Sequence, residues 1–229
     1  MEYRNELKFE VSNLDLQRIK GRLLPLMSLD SHQGTDGYQI RSLYFDDYYN
    51  SCMFEKENGI SYREKYRIRI YNNNDNHIRL EKKIKQASLT RKTVQMLTRQ
   101  DYDAIVSNDL DSLYILLAQN AGTLLEEFVL KMVHKKFSPK CIVEYQRFAF
   151  IERIGNVRIT FDYNISGSRQ IENFLHTDIL SIPVMPSAHQ ILEIKYDELL
   201  PYYILQALDL GCLRRQSFSK YYITRAVIG

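Results

Sequence analysis

Residues 65–71 read KYRIRIY, and this stretch decides the fold. Successive strand side chains point to opposite faces, so Lys65, Arg67, Arg69 and Tyr71 share one face, and Tyr66, Ile68 and Ile70 share the other. One face is apolar and fit for burial, while the other is cationic. The split recurs along the chain. Arg4, Glu6, Lys8 and Glu10 oppose Leu7, Phe9 and Val11; Arg79, Glu81, Lys83 and Lys85 oppose Ile78, Leu80 and Ile84. Further on, Arg158, Thr160 and Asp162 oppose Val157, Ile159 and Phe161, and Glu193, Lys195 and Asp197 oppose Leu192, Ile194 and Tyr196. If these strands share one sheet, their ionic faces lie together and the apolar faces pack beneath helices.

A sheet with one solvated face alternates in the same way. Residue choice argues for a binding surface instead. Solvated faces mix in Thr, Ser, Gln and Glu, whereas YRIRI sets two arginines side by side, whose planar forks suit phosphate oxygens and whose mutual repulsion calls for an anion between them. Closed into a barrel, such a sheet has a lumen with many cations and a few carboxylates, the chemistry needed by a polyphosphate chain and a divalent metal.

Composition sets the bounds. The 229 residues are 45% hydrophobic and 12% aromatic, ample for a core. No apolar run approaches the roughly 20 residues of a membrane helix, and the opening MEYRNELKFE has no secretory signal pattern, so a soluble, cytoplasmic protein is expected. Cys52, Cys141 and Cys212 are far apart and are read as buried reduced thiols. The net charge of +3 argues against a general nucleic-acid coat. The charge is concentrated, however: residues 61–92 hold ten Lys and Arg against three Asp and Glu, leaving 21 against 25 elsewhere. One localised anion-binding region follows.

Alternation predicts strands near 3–11, 38–46, 63–72, 77–86, 89–96, 140–151, 156–164 and 190–198, with a hairpin turn at NNNDN, 72–76. Helices are predicted at 14–27 behind an Asn13 cap, 99–108, 111–119, 123–136 and 201–210. The expectation is one α+β domain over 1–229, built on an antiparallel sheet of about eight strands, enough to close a barrel with helices outside.

The ordered fragments RNELKF, SLYFDD, KYRIRIY, IRLEKKIK, VEYQRFAF, VRITFD, ILEIKYD and SFSKY resemble the polyphosphate polymerase domain of the vacuolar transporter chaperone (VTC) family, within the triphosphate tunnel metalloenzymes. The resemblance implies an antiparallel barrel enclosing a tunnel that binds ATP and polyphosphate, with a glutamate helping to hold Mn²⁺ or Mg²⁺. The reaction it implies moves the terminal phosphoryl group of ATP onto a growing polyphosphate chain. Carried over by motif, the basic tunnel positions fall on Lys8, Arg67, Arg69, Lys83, Arg147, Arg158 and Lys220. The substrate-binding positions fall on Lys92, Tyr145 and Ser219, and the metal glutamate on Glu193. For Lys92 the adjacent Arg91 is an alternative that strand parity does not resolve. Lys65 lies toward its strand end and matches no family position. Hydrolytic and cyclising members of the superfamily carry Glu-x-Glu-x-Lys at the N-terminal strand; Arg4 stands in place of the first glutamate, which weakens support for two metals and tilts the reading to the polymerase. Glu6 and Glu81 are then expected to orient basic residues rather than bind metal.

Other residues have plainer readings. Asp46 and Asp47 are adjacent on a strand and face opposite ways, which suits a turn or helix cap better than a metal pair. The five histidines lack ligand spacing, and most of the 17 tyrosines suit core packing. Besides the polymerase, a tripolyphosphatase or nucleoside triphosphatase of the same fold, a non-catalytic polyphosphate sensor and an RNA-binding module are compatible with a basic sheet. RNA recognition would use exposed aromatics and a broader basic surface, and Glu193 favours an enzyme over a sensor. The chain offers no membrane span but leaves room for a membrane-protein partner.

Overall fold

The segments with period-two alternation form strands, and their apolar faces are what the helices cover. The computed structural model describes residues 3–229, except for the side chain of Cys212, which lies outside the described residues. In chain order the elements are β1 (Arg4–Ser12), α1 (Asn13–Leu23), β2 (Ser28–Leu29), β3 (Tyr38–Asp46), α2 (Ser51–Glu57), β4 (Tyr62–Tyr71), β5 (Asn74–Gln86), β6 (Leu89–Leu97), α3 (Arg99–Ser107), α4 (Leu110–Gln119) and α5 (Leu124–Lys135). There follow β7 (Ser138–Glu152), β8 (Val157–Ser168), β9 (Ile182–Pro183), β10 (His189–Tyr196), α6 (Tyr202–Leu208) and α7 (Lys220–Ile228).

The strands run in the order β2-β7-β3-β4-β5-β6-β1-β10-β8-β9, and β7 also pairs with β8. Eight of them therefore close into an antiparallel ring, with the two-residue β2 and β9 as short additions at its edge. Closure removes open strand edges and separates an inside from an outside. The outer faces carry the apolar residues. Tyr66, Ile68, Ile70 and Leu80 pack with Tyr102, Ile105, Phe128 and Met132 of the α3–α5 layer. Phe9, Val11, Ile159, Phe161 and Ile194 pack with Leu16, Ile19 and Leu23 of α1 and Ile204 and Leu208 of α6. Each such fully buried side chain contributes about 1.5–3 kcal/mol, which holds the ring open from outside and leaves its inner face to polar groups.

Local chemistry explains the boundaries. Asn72 and Asn73 take left-handed φ of 51° and 52°, making the two-residue β4–β5 turn. The cap of α1 is Ser12 rather than the expected Asn13: its Oγ accepts from the Asp15 amide while the Asp15 carboxylate accepts from the Ser12 amide, a capping box that an asparagine one residue later would lack. The predicted helix over 14–27 stops at Leu23, where the last turn loosens before the short β2. Gly37 enters β3 at φ +87°, and a Cβ there would meet the Arg147 carbonyl oxygen at 2.1 Å. The close approach fixes β7 at the residue that carries a tunnel arginine.

Helices α2 and α7 are additional to those the sequence predicts. The seven-residue α2 is held by Asp46, whose carboxylate accepts from the amides of Cys52 (2.9 Å) and Met53 (3.2 Å) and from the Tyr221 hydroxyl (2.6 Å). Asp47 accepts from the Ser51 amide at 2.9 Å. The aspartate pair is therefore structural, as read from its parity. Cys52 and Cys141 are buried free thiols. Among the described residues, no helix is long and apolar enough to cross a membrane.

Candidate functional site

The inner face of the ring encloses a cavity of about 1420 Å³, larger than a typical pocket for one drug-sized ligand. Among the described residues lining it, seventeen are Lys or Arg and four are Asp or Glu. Arg67, Arg69 and Lys83 all face into it, on strands that belong to the closed ring.

Each central cation is held by a carboxylate set beneath it. Glu81, fully buried, faces Arg67 across the β4–β5 ladder. Its Oε2 accepts from Arg67 Nε at 2.7 Å and lies 3.4 Å from Arg69 Nη1, and its Oε1 accepts from Lys92 at 3.2 Å. Burial works to raise the Glu81 carboxyl, but Arg69, Arg67 and Lys92 outweigh it and hold the group well below the carboxylate range. The other donors of the arginine forks are fixed too: Arg67 Nη1 donates to the Tyr44 hydroxyl (2.8 Å), Arg69 Nε to Ser42 Oγ (3.0 Å) and Arg69 Nη2 to the Tyr145 hydroxyl (3.1 Å). The forks are thus preorganised before any ligand arrives.

A second cluster joins β1, β5 and β10. Lys83 donates to Glu6 at 2.6 Å; Lys8 lies 3.4 Å from both Glu6 and Glu193; Lys195 lies 2.5 Å from Glu193. Three ammonium groups around two carboxylates cannot all be fully paired. Lys8, set between both acids, is held above its ordinary range despite burial, while burial pushes Lys83, which touches Glu6 alone, down to about 7. Glu193 is raised by burial but overcome by Lys195, Lys8 and Lys83, so it stays an anion.

A third cluster is centred on the fully buried Asp162 of β8, which takes both Arg147 Nε (2.6 Å) and Nη2 (2.7 Å) in a bidentate pair and Lys220 Nζ at 2.6 Å. Arg158 reaches Asp30 (2.5 Å) and the Tyr38 hydroxyl (2.9 Å). Ser219 caps α7 by accepting from the Tyr222 amide at 3.3 Å, and its Oγ also accepts from Lys65 at 2.8 Å. Helix α7 thereby delivers Ser219 and Lys220 to the cavity wall.

The structure brings all eleven candidate residues to one cavity. Lys92 and Arg91 both line the cavity, but they differ in contacts: Lys92 faces Lys83 directly across β5–β6 and reaches Glu81, whereas Arg91 faces Ile84 and lies over the Tyr3 ring at 5.3 Å. Glu6 and Glu81 orient cations, as the sequence leads one to expect. Four features differ from expectation or were missed. Lys65 is not peripheral, since its ammonium sits on Ser219 and over the Tyr221 ring inside the cavity, and burial pushes it down to about 8. Tyr44 and Tyr38 are packed into the core and also present their hydroxyls to the cavity wall. Lys195 had the right parity in its strand and was passed over because no motif marked it. Asp162 had the parity as well, but only the register shows that it anchors Arg147, its partner across β7–β8.

Asp162→Asn is expected to strand two buried cations and cost about 3–5 kcal/mol, a fall in Tm on the order of 10 °C in calorimetry. The Asp162 carboxyl is raised by burial, but Arg147 and Lys220 hold it down at about 2, below its ordinary 3.8. Its stabilisation is present above pH 3.8 and lost as pH falls through about 2, so the variant and wild type should converge in Tm only at strongly acid pH. Equal Tm at neutral pH would show that Asp162 is not an anchor.

Among the described residues, no group of three or more His, Cys, Asp or Glu forms a cage for a metal ion. The donor that fits a divalent ion is Glu193, which suits a hard cation bound through one carboxylate plus substrate phosphate oxygens; Glu6 is taken up by Lys83.

An eight-stranded antiparallel ring with a cationic lumen cradled by buried carboxylates is the architecture of the triphosphate tunnel fold. A Hippeastrum protein, described as an adenylyl cyclase candidate with a dominant triphosphatase activity, shares it at 12% identity over 99% of this chain and 96% of its own, with a TM-score of 0.54. A Vibrio parahaemolyticus protein, described as an adenylate cyclase candidate, shares it at 13% identity over 98% of both chains, with a TM-score of 0.52. At such identities the likeness is one of fold alone. The chain belongs to the VTC domain family, whose model matches residues 3–228. No curated protein matches it closely enough to count as a relative.

Proposed function

We propose that this protein transfers the terminal phosphoryl group of ATP to the end of a polyphosphate chain held in the tunnel, with Mn²⁺ or Mg²⁺ held by Glu193. The observation that carries the reading is the enclosed excess of cations over carboxylates in a cavity too large for one small anion. In this reading Arg67 and Arg69 grip neighbouring phosphates with their forks, and Lys8, Lys83, Arg147, Arg158 and Lys220 neutralise oxygens on which charge builds during transfer. Lys92, Tyr145 and Ser219 hold the substrate in line. A bound divalent ion supplies further neutralisation of phosphate oxygens. To accept it, Glu193 must release the ammonium groups of Lys195 and Lys8 that now occupy its oxygens. No general base is needed, because the end of a polyphosphate chain is already an anionic nucleophile. The chain is read as one functional unit over 1–229, in the cytoplasm where ATP is at hand, with ATP and polyphosphate rather than nucleic acid as its partners.

A second reading, a tripolyphosphatase or nucleoside triphosphatase, draws support from the triphosphatase activity described for the Hippeastrum protein of the same fold. One assay separates the two. With ATP and Mn²⁺, long-chain polyphosphate on a gel is expected; release of orthophosphate from tripolyphosphate with no polymer would select the hydrolase, and neither product would leave binding alone.

A further inference from the structure

The cations that line the cavity are not all alike. Those of the three clusters are matched with carboxylates; Arg79, Arg91 and Arg215 stand apart on the wall without ion pairs among the described residues, and at the end formed by α2 and the first residues of β4 four unpaired cations come together. Lys56, Arg63, Lys65 and Lys85 all line the cavity, and none has an ion-pair partner among the described residues. Glu64, between Arg63 and Lys65 in sequence, faces the other way and pairs with Lys82 and Lys131, and Glu55 makes no ion pair there; Arg63 donates to the Glu55 carbonyl oxygen instead, at 3.3 Å. The β4–β5 register adds to the imbalance, placing Arg63 directly opposite Lys85 and Lys65 directly opposite Lys83. Like charges facing each other across a ladder repel, and partial burial strengthens the repulsion. Consistent with this, burial and neighbouring cations push the ammonium groups of Lys56, Lys65 and Lys85 downward. Four cations without counter-ions, on the wall of a cavity that already holds paired ones, are a place where an anion relieves strain.

We infer that Lys56, Arg63 and Lys85 form a distal subsite for the linear phosphate chain, beyond the paired central site and with Lys65 between the two, so that the protein selects for chain length. Arg63 lies four residues before Arg67 on the same strand, about 13 Å along it. A triphosphate gripped at Arg67 and Arg69 is too short to reach Arg63, whereas a longer chain spans both. The inference rests on the phosphate-chain reading of the tunnel, and it deepens that reading by assigning the far end of the chain to residues outside the candidate tunnel positions.

The test is equilibrium binding by titration calorimetry, with EDTA present, of tripolyphosphate and of long-chain polyphosphate to the wild type and to Arg63→Gln/Lys85→Gln. The variant is expected to lose about tenfold in affinity for the long chain and less than about threefold for tripolyphosphate. Its Tm should equal or exceed that of the wild type, because a repulsive pair is gone. Equal losses for the two ligands, or no loss for the long chain, overturn the distal subsite. If the double variant is destabilised, Lys56→Gln on α2 gives the same reading without disturbing the ladder: a loss confined to the long chain supports the subsite, and its absence refutes it. A wild type that binds neither ligand would refute the phosphate-chain reading itself, an outcome distinct from the others.

Discussion

Glu193→Gln is expected to lower Mn²⁺-dependent ATP turnover by about 10²–10³-fold while polyphosphate binding in EDTA holds or tightens. The two effects have opposite signs because the carboxylate has two jobs. In the proposed reaction it attracts the divalent ion, and a neutral amide of the same shape does not. In the metal-free protein it partly neutralises Lys8 and Lys195, at 3.4 and 2.5 Å, so removing its charge frees those ammonium groups for phosphate. Steady-state turnover with varied Mn²⁺, paired with titration of polyphosphate in EDTA, separates this from misfolding, which would lower both. Unchanged turnover would mean that the metal is held elsewhere.

Replacing both Arg67 and Arg69 by Lys is expected to reduce phosphoryl transfer by one to three orders of magnitude with net charge preserved. Each arginine uses part of its fork on protein: Arg67 on Glu81 and Tyr44, Arg69 on Ser42 and Tyr145. A lysine cannot keep those bonds and also present a planar pair of donors to a phosphate, and each lost charge-assisted bond costs about 1.5–3 kcal/mol. The useful comparison is with Arg63→Gln/Lys85→Gln, which removes two charges from the same strands but from the unpaired end. Turnover of ATP and polyphosphate affinity, both at one salt concentration, distinguish the cases. Similar small losses in the two would mean that the tunnel supplies diffuse charge only.

Much of the fold was legible because period-two alternation is a local property. The strands at 38–46, 62–71 and 89–97 lie within a residue of where the apolar pattern puts them, and the Asn72–Asn73 turn is dictated by residues that tolerate positive φ. Helices α3, α4 and α5 announce themselves by their caps, Thr98, Asp109 and Thr123. Helix α2 does not, because it is seven residues long and is held by Asp46 from a neighbouring strand rather than by its own sequence. Helix α7 lies behind SFSKY, a motif that marks site residues; its buried positions Tyr221, Thr224 and Ile228 follow a helical period, but the run is only nine residues long and two of those positions are polar or amphipathic side chains.

For the site, sequence alone determined which face each charged residue takes. Parity put Arg67, Arg69, Lys83, Arg158 and Glu193 on the ionic side before any partner was known. It could not determine register, which depends on how separate strands meet. Register set Glu81 opposite Arg67, Asp162 opposite Arg147 and Lys92 rather than Arg91 opposite Lys83. Nor could it determine closure. The β7–β8 pairing joins residues adjacent in sequence, but the β3–β7, β1–β6 and β1–β10 pairings join segments more than eighty residues apart, and without them the charged surface does not become a lumen. Inside that lumen solvent screens the charges less than on an open face, so pairing becomes decisive: a lysine is held charged between two carboxylates at Lys8 and pushed toward neutrality at Lys83 and Lys65.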